Sequence, residues 1–193
     1  MGPVTGVLAL QGAFASHATA LVRSGASVRE VRTPADLEAV SSLVLPGGES
    51  TTMCKLLESS GLRAAIEWRL AGGMPVLGTC AGAIVLASAI EDGRPEQFCL
   101  GAIDVAVRRN GFGRQRDSFE ADLDVPGGAG PMRAVFIRAP RIIRVGPQVE
   151  VVAALRDEPV LVRQGAVLAA TFHPELSGDD RIHRRFLGFL TEV

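Results

Sequence analysis

The chain has 193 residues and a mass of 20.3 kDa, with 47% hydrophobic residues and a mean hydropathy of +0.26, which excludes disorder as its main state and allows one sizeable core. Twenty basic residues against 21 acidic ones leave a net charge of −1, which argues against a general nucleic-acid binder. The absence of Tyr and the single Trp68 argue against a platform that stacks bases or sugars on aromatic rings.

In chain order, residues 4–10 are an apolar run that stops at Gln11-Gly12 and reads as a strand. Residues 14–24 have helical spacing, with Phe14, Ala18, Leu21 and Val22 on one side and Gly25 closing the helix. Residues 27–31 and 42–45 read as strands, the second ended by Pro46-Gly47-Gly48. Ser50 is placed to cap a following helix, and residues 62–71 form another. Residues 76–77 are a short buried strand, and the apolar run 81–90 reads as a buried helix. This alternation implies a parallel sheet with helices on both faces. Beyond residue 98 the segments 100–108, 118–125, 133–137, 149–154, 159–163 and 167–172 are strand-like, and 181–190 reads as a closing helix. The expectation is one α/β domain over residues 1–193 with an antiparallel β extension.

Residues 1–22 and 70–90 carry no charged side chain. The first lacks a basic start and is interrupted by Gln11, Ser16 and His17, so it is a poor signal peptide. The second contains Gly72, Gly73, Pro75, Gly78 and Gly82, which break a spanning helix. Both read as buried pieces of a cytoplasmic protein without a membrane partner. Cys54, Cys80 and Cys99 form no CxxC pair, and His17, His173 and His183 form no HExxH, so neither a disulfide framework nor a metal site is expected.

Three short segments carry chemistry. Gly78-Thr79-Cys80-Ala81-Gly82 lies between a short strand and an apolar helix. A cysteine on such a turn is exposed to substrate, the helix start favours its thiolate, and the Ala81 N–H faces any oxyanion beside the sulfur. The alternative is a buried cysteine that only packs. His173-Pro174-Glu175 follows an apolar strand, and in extended backbone positions 173 and 175 project to one side. Glu175 then accepts from one ring nitrogen and turns the other toward Cys80. The alternative is a surface histidine beside an exposed glutamate. Pro46-Gly47-Gly48-Glu49-Ser50-Thr51-Thr52 offers backbone N–H groups to an anion but is not a Walker loop. Its alternative is a plain turn. His17 and His183 lie in helical patterns without an acidic orienter at this spacing and are expected on helix surfaces.

Taken in order, a Gly-Gly loop, a G-x-C-x-G elbow and a late H-P-E resemble the class I glutamine amidotransferases. Further blocks, at 8–12, 109–115 (Arg-Asn-Gly-Phe-Gly-Arg-Gln), 118–120, 136–140 (Phe-Ile-Arg-Ala-Pro) and 172–176, are similar to the family of glutaminase subunits of pyridoxal 5′-phosphate synthase. The resemblance implies a flavodoxin-like three-layer fold and hydrolysis of L-glutamine by Cys80 as nucleophile, His173 as base and Glu175 as its orienter. It implies that Gly48, Glu49, Ser50, Arg109, Ile137 and Arg138 bind glutamine, and that Gly48 and Ala81 supply the oxyanion hole. It also implies a separate (β/α)8-barrel synthase subunit that receives ammonia, with no cofactor or metal in the glutaminase itself. Readings kept open are a glutaminase serving another synthase, such as imidazole glycerol phosphate synthase, a dienelactone-type cysteine hydrolase, and a non-catalytic regulatory subunit. The Gly47–Gly48 peptide can reverse at little steric cost, so low activity without the partner is expected.

Overall fold

The computed structural model describes residues 2–109, 111, 118–128 and 130–190. The chain opens with β1 (Val4–Leu8), α1 (Phe14–Arg23), β2 (Ser27–Val31), α2 (Pro34–Glu38), β3 (Ser42–Leu45), α3 (Ser50–Ser59), α4 (Leu62–Ala71), β4 (Val76–Thr79) and α5 (Ala81–Leu86). It continues with β5 (Ala87–Ile90), β6 (Ile103–Arg108), β7 (Phe119–Leu123), β8 (Met132–Phe136), β9 (Arg141–Val145), β10 (Glu150–Leu155), β11 (Glu158–Gln164), β12 (Val167–Ala170) and α6 (Arg181–Gly188).

Seven strands form the main sheet in the order β10-β11-β12-β4-β3-β1-β2. The five strands from β12 to β2 run parallel, while β11 and β10 extend the sheet antiparallel. Side-chain alternation along the strands sorts the interior into two cores. Leu8, Leu43, Leu45, Val76 and Ala169 face one side with Met53, Leu57, Leu62, Ile66 and α5. Val7, Val44, Leu77, Leu168 and Ala170 face the other with Leu21, Ile182 and Phe186 from α1 and α6. The expected mostly parallel sheet, covered on both faces and carrying an antiparallel extension, is therefore present.

Two smaller sheets flank it. The hairpin β7–β8 packs Leu123, Met132, Ala134 and Phe136 into the second core. Strands β5, β6 and β9 pack Ala87, Ile103, Val105, Val107 and Ile142 into the first.

Three local expectations are corrected. The apolar run 81–90 is not one helix: α5 ends at Leu86, Ala87 turns extended, and Ala87–Ile90 pairs with β6. An all-apolar run has no period by which helix and strand can be told apart. Strand β9 lies between the expected strand-like segments 133–137 and 149–154; its arginines obscure an apolar pattern, yet Ile142 is buried and Arg144 pairs with Asp104 at 2.8 Å. Helix α2 was missed because it has only five residues; a Thr33–Asp36 capping box and Pro34 at its start hold it.

Candidate active site

Strands β1, β3, β4 and β12 are neighbours and parallel, so the segments that follow them emerge side by side at one end of the sheet. Those segments carry Gln11, Gly47, Cys80 and Thr171. The sequence segments separated by up to 160 residues thus meet because of strand order.

Cys80 is the junction between β4 and α5, with φ 48° and ψ −103°. Positive φ in a non-glycine residue costs about 1–3 kcal/mol and needs surroundings that enforce it. Here the Cys80 N–H donates to Ala170 O at 2.9 Å and its carbonyl accepts from Ile84 N–H at 3.2 Å. The flanking glycines are required by close approach. A Cβ on Gly82 would collide with the Leu45 carbonyl of β3, and one on Gly78 would lie 2.8 Å from the Gly82 backbone. The thiol lies 3.8 Å from Ile137 O.

His173 and Glu175 meet as expected, with His173 Nδ1 2.8 Å from Glu175 Oε1. The reason differs from the expected one. Glu175 does not continue a strand but sits in a one-turn 3-10 helix, Pro174–Leu176, which folds its side chain back on His173. His173 is anchored by its N–H, which donates to Val135 O of β8 at 2.8 Å. With Nδ1 engaged by Glu175, Nε2 is the ring nitrogen left for the interaction with Cys80. Burial alone would lower the His173 pKa, but its hydrogen bonds to Cys80 and Glu175 outweigh burial and push it up to about 10. Glu175 is buried as well, and its bond to His173 keeps it below the usual carboxylate range despite that burial.

The Gly47 carbonyl accepts from Ala13 N–H at 3.1 Å, which leaves the Gly48 N–H on the opposite side of that trans peptide. A Cβ on Gly48 would run into the Gln11 side-chain amide, whose Oε1 accepts from Glu49 N–H at 3.2 Å. Ser50 does not cap α3 as expected. Glu49 does, its carboxylate accepting from Thr51 N–H at 3.1 Å and Thr52 N–H at 2.7 Å. Burial opposes its ionisation, but these bonds and the Thr52 hydroxyl hold its pKa down to about 2.

A pocket of about 120 Å³ opens over Cys80 and is lined by Gly48, Glu49, Ser50, Cys80, Ile84, Arg109, Ile137, Arg138 and His173. Every residue expected to bind glutamine lines it. Ala81 and Glu175 lie behind the wall, at the start of α5 and beneath His173. The wider hollow of about 710 Å³ beside Trp68 lies at the other end of the sheet and contains none of these residues. Arg109 is tethered by Gln97, whose amide accepts from Arg109 at 2.8 Å and donates to Ser50 Oγ at 2.7 Å. Arg138, with φ 46°, has no side-chain partner among the described residues. Of the block 109–115, Asn110 and residues 112–115 lie outside the described residues.

Cys54 and Cys99 are apart from this chemistry. Burial pushes the Cys99 thiol up to about 11 and raises that of Cys54 as well, so both stay protonated. Among the described residues no group of three or more His, Cys, Asp or Glu is arranged to hold a metal ion, and no helix is long and apolar enough to cross a membrane.

The placement of His17 and His183 corrects the sequence reading most sharply. Both are fully buried. His17 Nδ1 lies 2.9 Å from His183 Nε2, and His17 Nε2 lies 3.0 Å from Thr79 Oγ1 and 3.2 Å from Glu175 Oε2. The sequence spacing puts Phe14, Ala18, Leu21 and Val22 on the apolar side, but Val22 is 60% exposed and His17, Ala20 and Leu21 form the buried face. The available signal was the spacing of His17 with Ala20 and Leu21, and of His183 with Phe186.

The parallel sheet, the cysteine at a strained strand-to-helix junction and the histidine beyond the neighbouring strand give the fold of the class I glutamine amidotransferases. A crystal structure described as a glutamine amidotransferase superimposes with a TM-score of 0.90 at 52% identity, covering 97% of this chain and 98% of that one. The pyridoxal 5′-phosphate synthase subunit PdxT of Mycobacteroides abscessus is 56% identical over 187 residues, 97% of each chain. That of Deinococcus radiodurans is 55% identical over 190 residues, again 97% of each. The model of the SNO glutamine amidotransferase family matches residues 7–192, and the chain belongs to that family.

Proposed function

We propose that the chain is the glutaminase subunit of a pyridoxal 5′-phosphate synthase: it hydrolyses L-glutamine to L-glutamate and ammonia and passes the ammonia to a (β/α)8-barrel synthase subunit in a cytoplasmic hetero-oligomer. The observation that carries the chemistry is Cys80, held at φ 48° beside a histidine that is itself tied to a buried carboxylate at 2.8 Å. The names of relatives more than half identical over nearly the whole chain support the pathway. Residues 1–193 act as one catalytic unit in this reading, without cofactor or metal.

In this mechanism the Cys80 thiolate, paired with the His173 imidazolium, attacks the side-chain amide carbon of glutamine. The carbonyl electron pair moves onto oxygen, and the Gly48 and Ala81 N–H groups receive that oxyanion. One such donor is worth roughly 3–4 kcal/mol in the barrier. As the oxyanion collapses, the C–N bond breaks and His173 Nε2–H protonates the departing ammonia, leaving a γ-glutamyl thioester. Neutral His173 then takes a proton from water as the water oxygen attacks the thioester. The C–S bond breaks, glutamate leaves, and the thiolate–imidazolium pair is restored. Glu175 keeps Nε2 directed at sulfur throughout. Glu49, Ser50, Arg109, Ile137 and Arg138 bind the amino-acid end of the substrate.

Control resides in the Gly47–Gly48 peptide. Reversing it would break the Gly47 carbonyl's bond to Ala13 and turn a carbonyl toward the oxyanion. Partner binding that selects the donor orientation therefore stimulates turnover. Glutamate release from glutamine, measured with and without a barrel synthase subunit, tests the proposal. Low activity alone and marked stimulation by the partner are expected. Absence of hydrolysis in both arms would refute the glutaminase reading, and full activity alone would refute the account of control.

A further inference from the structure

We propose that His17, held in one tautomer by His183, is the positioning residue for Glu175: its Nε2–H faces the second carboxylate oxygen at 3.2 Å, attracts it electrostatically and so fixes which oxygen faces His173. This rests on the reading of Cys80, His173 and Glu175 as the reacting group and its supports.

The hydrogen-bond pattern sets the proton positions. Burial keeps His17 neutral, pushing its pKa down to about 4 although Glu175 works in the opposite direction, so the ring carries one N–H. Glu175 Oε2, 3.2 Å from His17 Nε2, can only accept. A lone pair on that nitrogen would face the carboxylate without a proton between them. The proton therefore sits on Nε2, where the Thr79 hydroxyl also lies at 3.0 Å. Nδ1 is then an acceptor and takes the Nε2–H of His183 at 2.9 Å. The remaining nitrogen, His183 Nδ1, has no partner among the described residues, which is where this tautomer leaves a bare lone pair. Oε1 of this buried carboxylate bonds to His173 at 2.8 Å, while Oε2 makes no hydrogen bond among the described residues and has the His17 Nε2 3.2 Å away, so each oxygen has one imidazole beside it. The titratable and charged groups around the cluster are His173, Glu175, Asp180 and Arg23, and Asp180 is ion-paired with Arg23 at 2.6 Å.

Without the His17 N–H, Glu175 takes up a proton more readily and no longer supports the His173 imidazolium. The test uses the full chain with its synthase partner and the variants His17→Leu, His17→Gln and His183→Leu. We expect His17→Leu to lower kcat about 10- to 100-fold with KM for glutamine little changed. The pH at which iodoacetamide alkylates Cys80 at half its maximal rate should rise by about one unit. His17→Gln carries an amide N–H near the Nε2 position and should recover most of both losses, while His183→Leu should show a smaller shift in the same direction. A folded His17→Leu variant with unchanged kcat and an unmoved alkylation profile would overturn the proposal and leave the histidines as packing. If the variants do not fold, nitrogen chemical shifts of the imidazoles in the wild-type chain decide: protonated Nε2 on His17 supports the assignment, and protonated Nδ1 contradicts it. Wild-type hydrolysis that survives Cys80→Ala would instead sink the underlying triad reading.

Discussion

The two walls of the pocket are built by different means. The wall carrying Cys80 and His173 is fixed by main-chain bonds between neighbouring strands and by glycine contacts too close for any side chain. Its supporting groups Glu175, His17 and His183 are buried. The opposite wall, of Glu49, Ser50, Arg109, Ile137 and Arg138, is joined by side-chain bonds through Gln97 or left open to solvent at Arg138. The contrast separates two tasks. Bond making needs atoms held to a fraction of an ångström, whereas gripping a zwitterion needs charge near the right place.

Substitutions should therefore divide by wall. Cys80→Ala should lower glutamine turnover at least about a thousandfold while leaving the melting temperature near that of the wild type. Substantial residual turnover would place the nucleophile elsewhere. Cys54→Ala should keep most of its activity, since that thiol is buried and protonated. Gly82→Ala should destabilise by about 3 kcal/mol and also lower kcat, because a Cβ there forces α5 away from the Leu45 carbonyl. A stable, fully active Gly82→Ala variant would show that the rigid wall is not rigid.

On the other wall the expected changes are in KM. Arg138 lines the pocket with a guanidinium that has no side-chain partner among the described residues, suited to a carboxylate. Arg138→Ala should raise KM for glutamine about tenfold and leave kcat within about twofold, matching the loss of one charge-assisted bond. Gln97→Ala releases Ser50 and Arg109 together and should raise KM about threefold. A fall in kcat without a change in KM for either variant would erase the distinction between the walls.

A smaller effect concerns pH and stability. His17 has its pKa pushed down to about 4, and burial lowers that of His183 as well. As pH falls below the unfolded value near 6.5, the unfolded chain binds protons that the folded chain does not, so stability declines. His173 is shifted the other way, so its contribution is complete below about 6.5 and is lost as pH rises toward 10. Stability, and with it the melting temperature, should therefore drop between pH 6.5 and 5, with about 1 kcal/mol per pH unit coming from His17 and a further loss in the same direction from His183. The drop should be shallower in His17→Gln. An equal slope in that variant would place the acid sensitivity elsewhere.

What was legible in the sequence was what is local. G-x-C-x-G, H-P-E and P-G-G-E-S each encode a turn whose residue types are dictated by the backbone around them, and all three arrive at one end of the sheet. The resemblance supplied Arg109, Ile137 and Arg138, which no local spacing singles out. His17 and His183 were misread because the spacing of apolar residues in α1 was phased on Val22, which is exposed, and a buried polar residue interrupts an apolar stripe. Glu175, which faces His17 at 3.2 Å, is 158 residues from it, and only the tertiary fold joins them. The strands β5 and β9 escaped for opposite reasons, one too apolar to show a period and one too charged to look buried.

The central claim is that one thiol of three attacks glutamine. The most direct measurement is mass spectrometry of the chain after reaction, in the presence of its synthase partner, with a diazoketone analogue of glutamine that alkylates the attacking sulfur. The account predicts a single adduct, mapped to Cys80, suppressed by excess glutamine and absent in Cys80→Ala. An adduct on Cys54 or Cys99, or a Cys80 left unlabelled while the assembly hydrolyses glutamine, would contradict it.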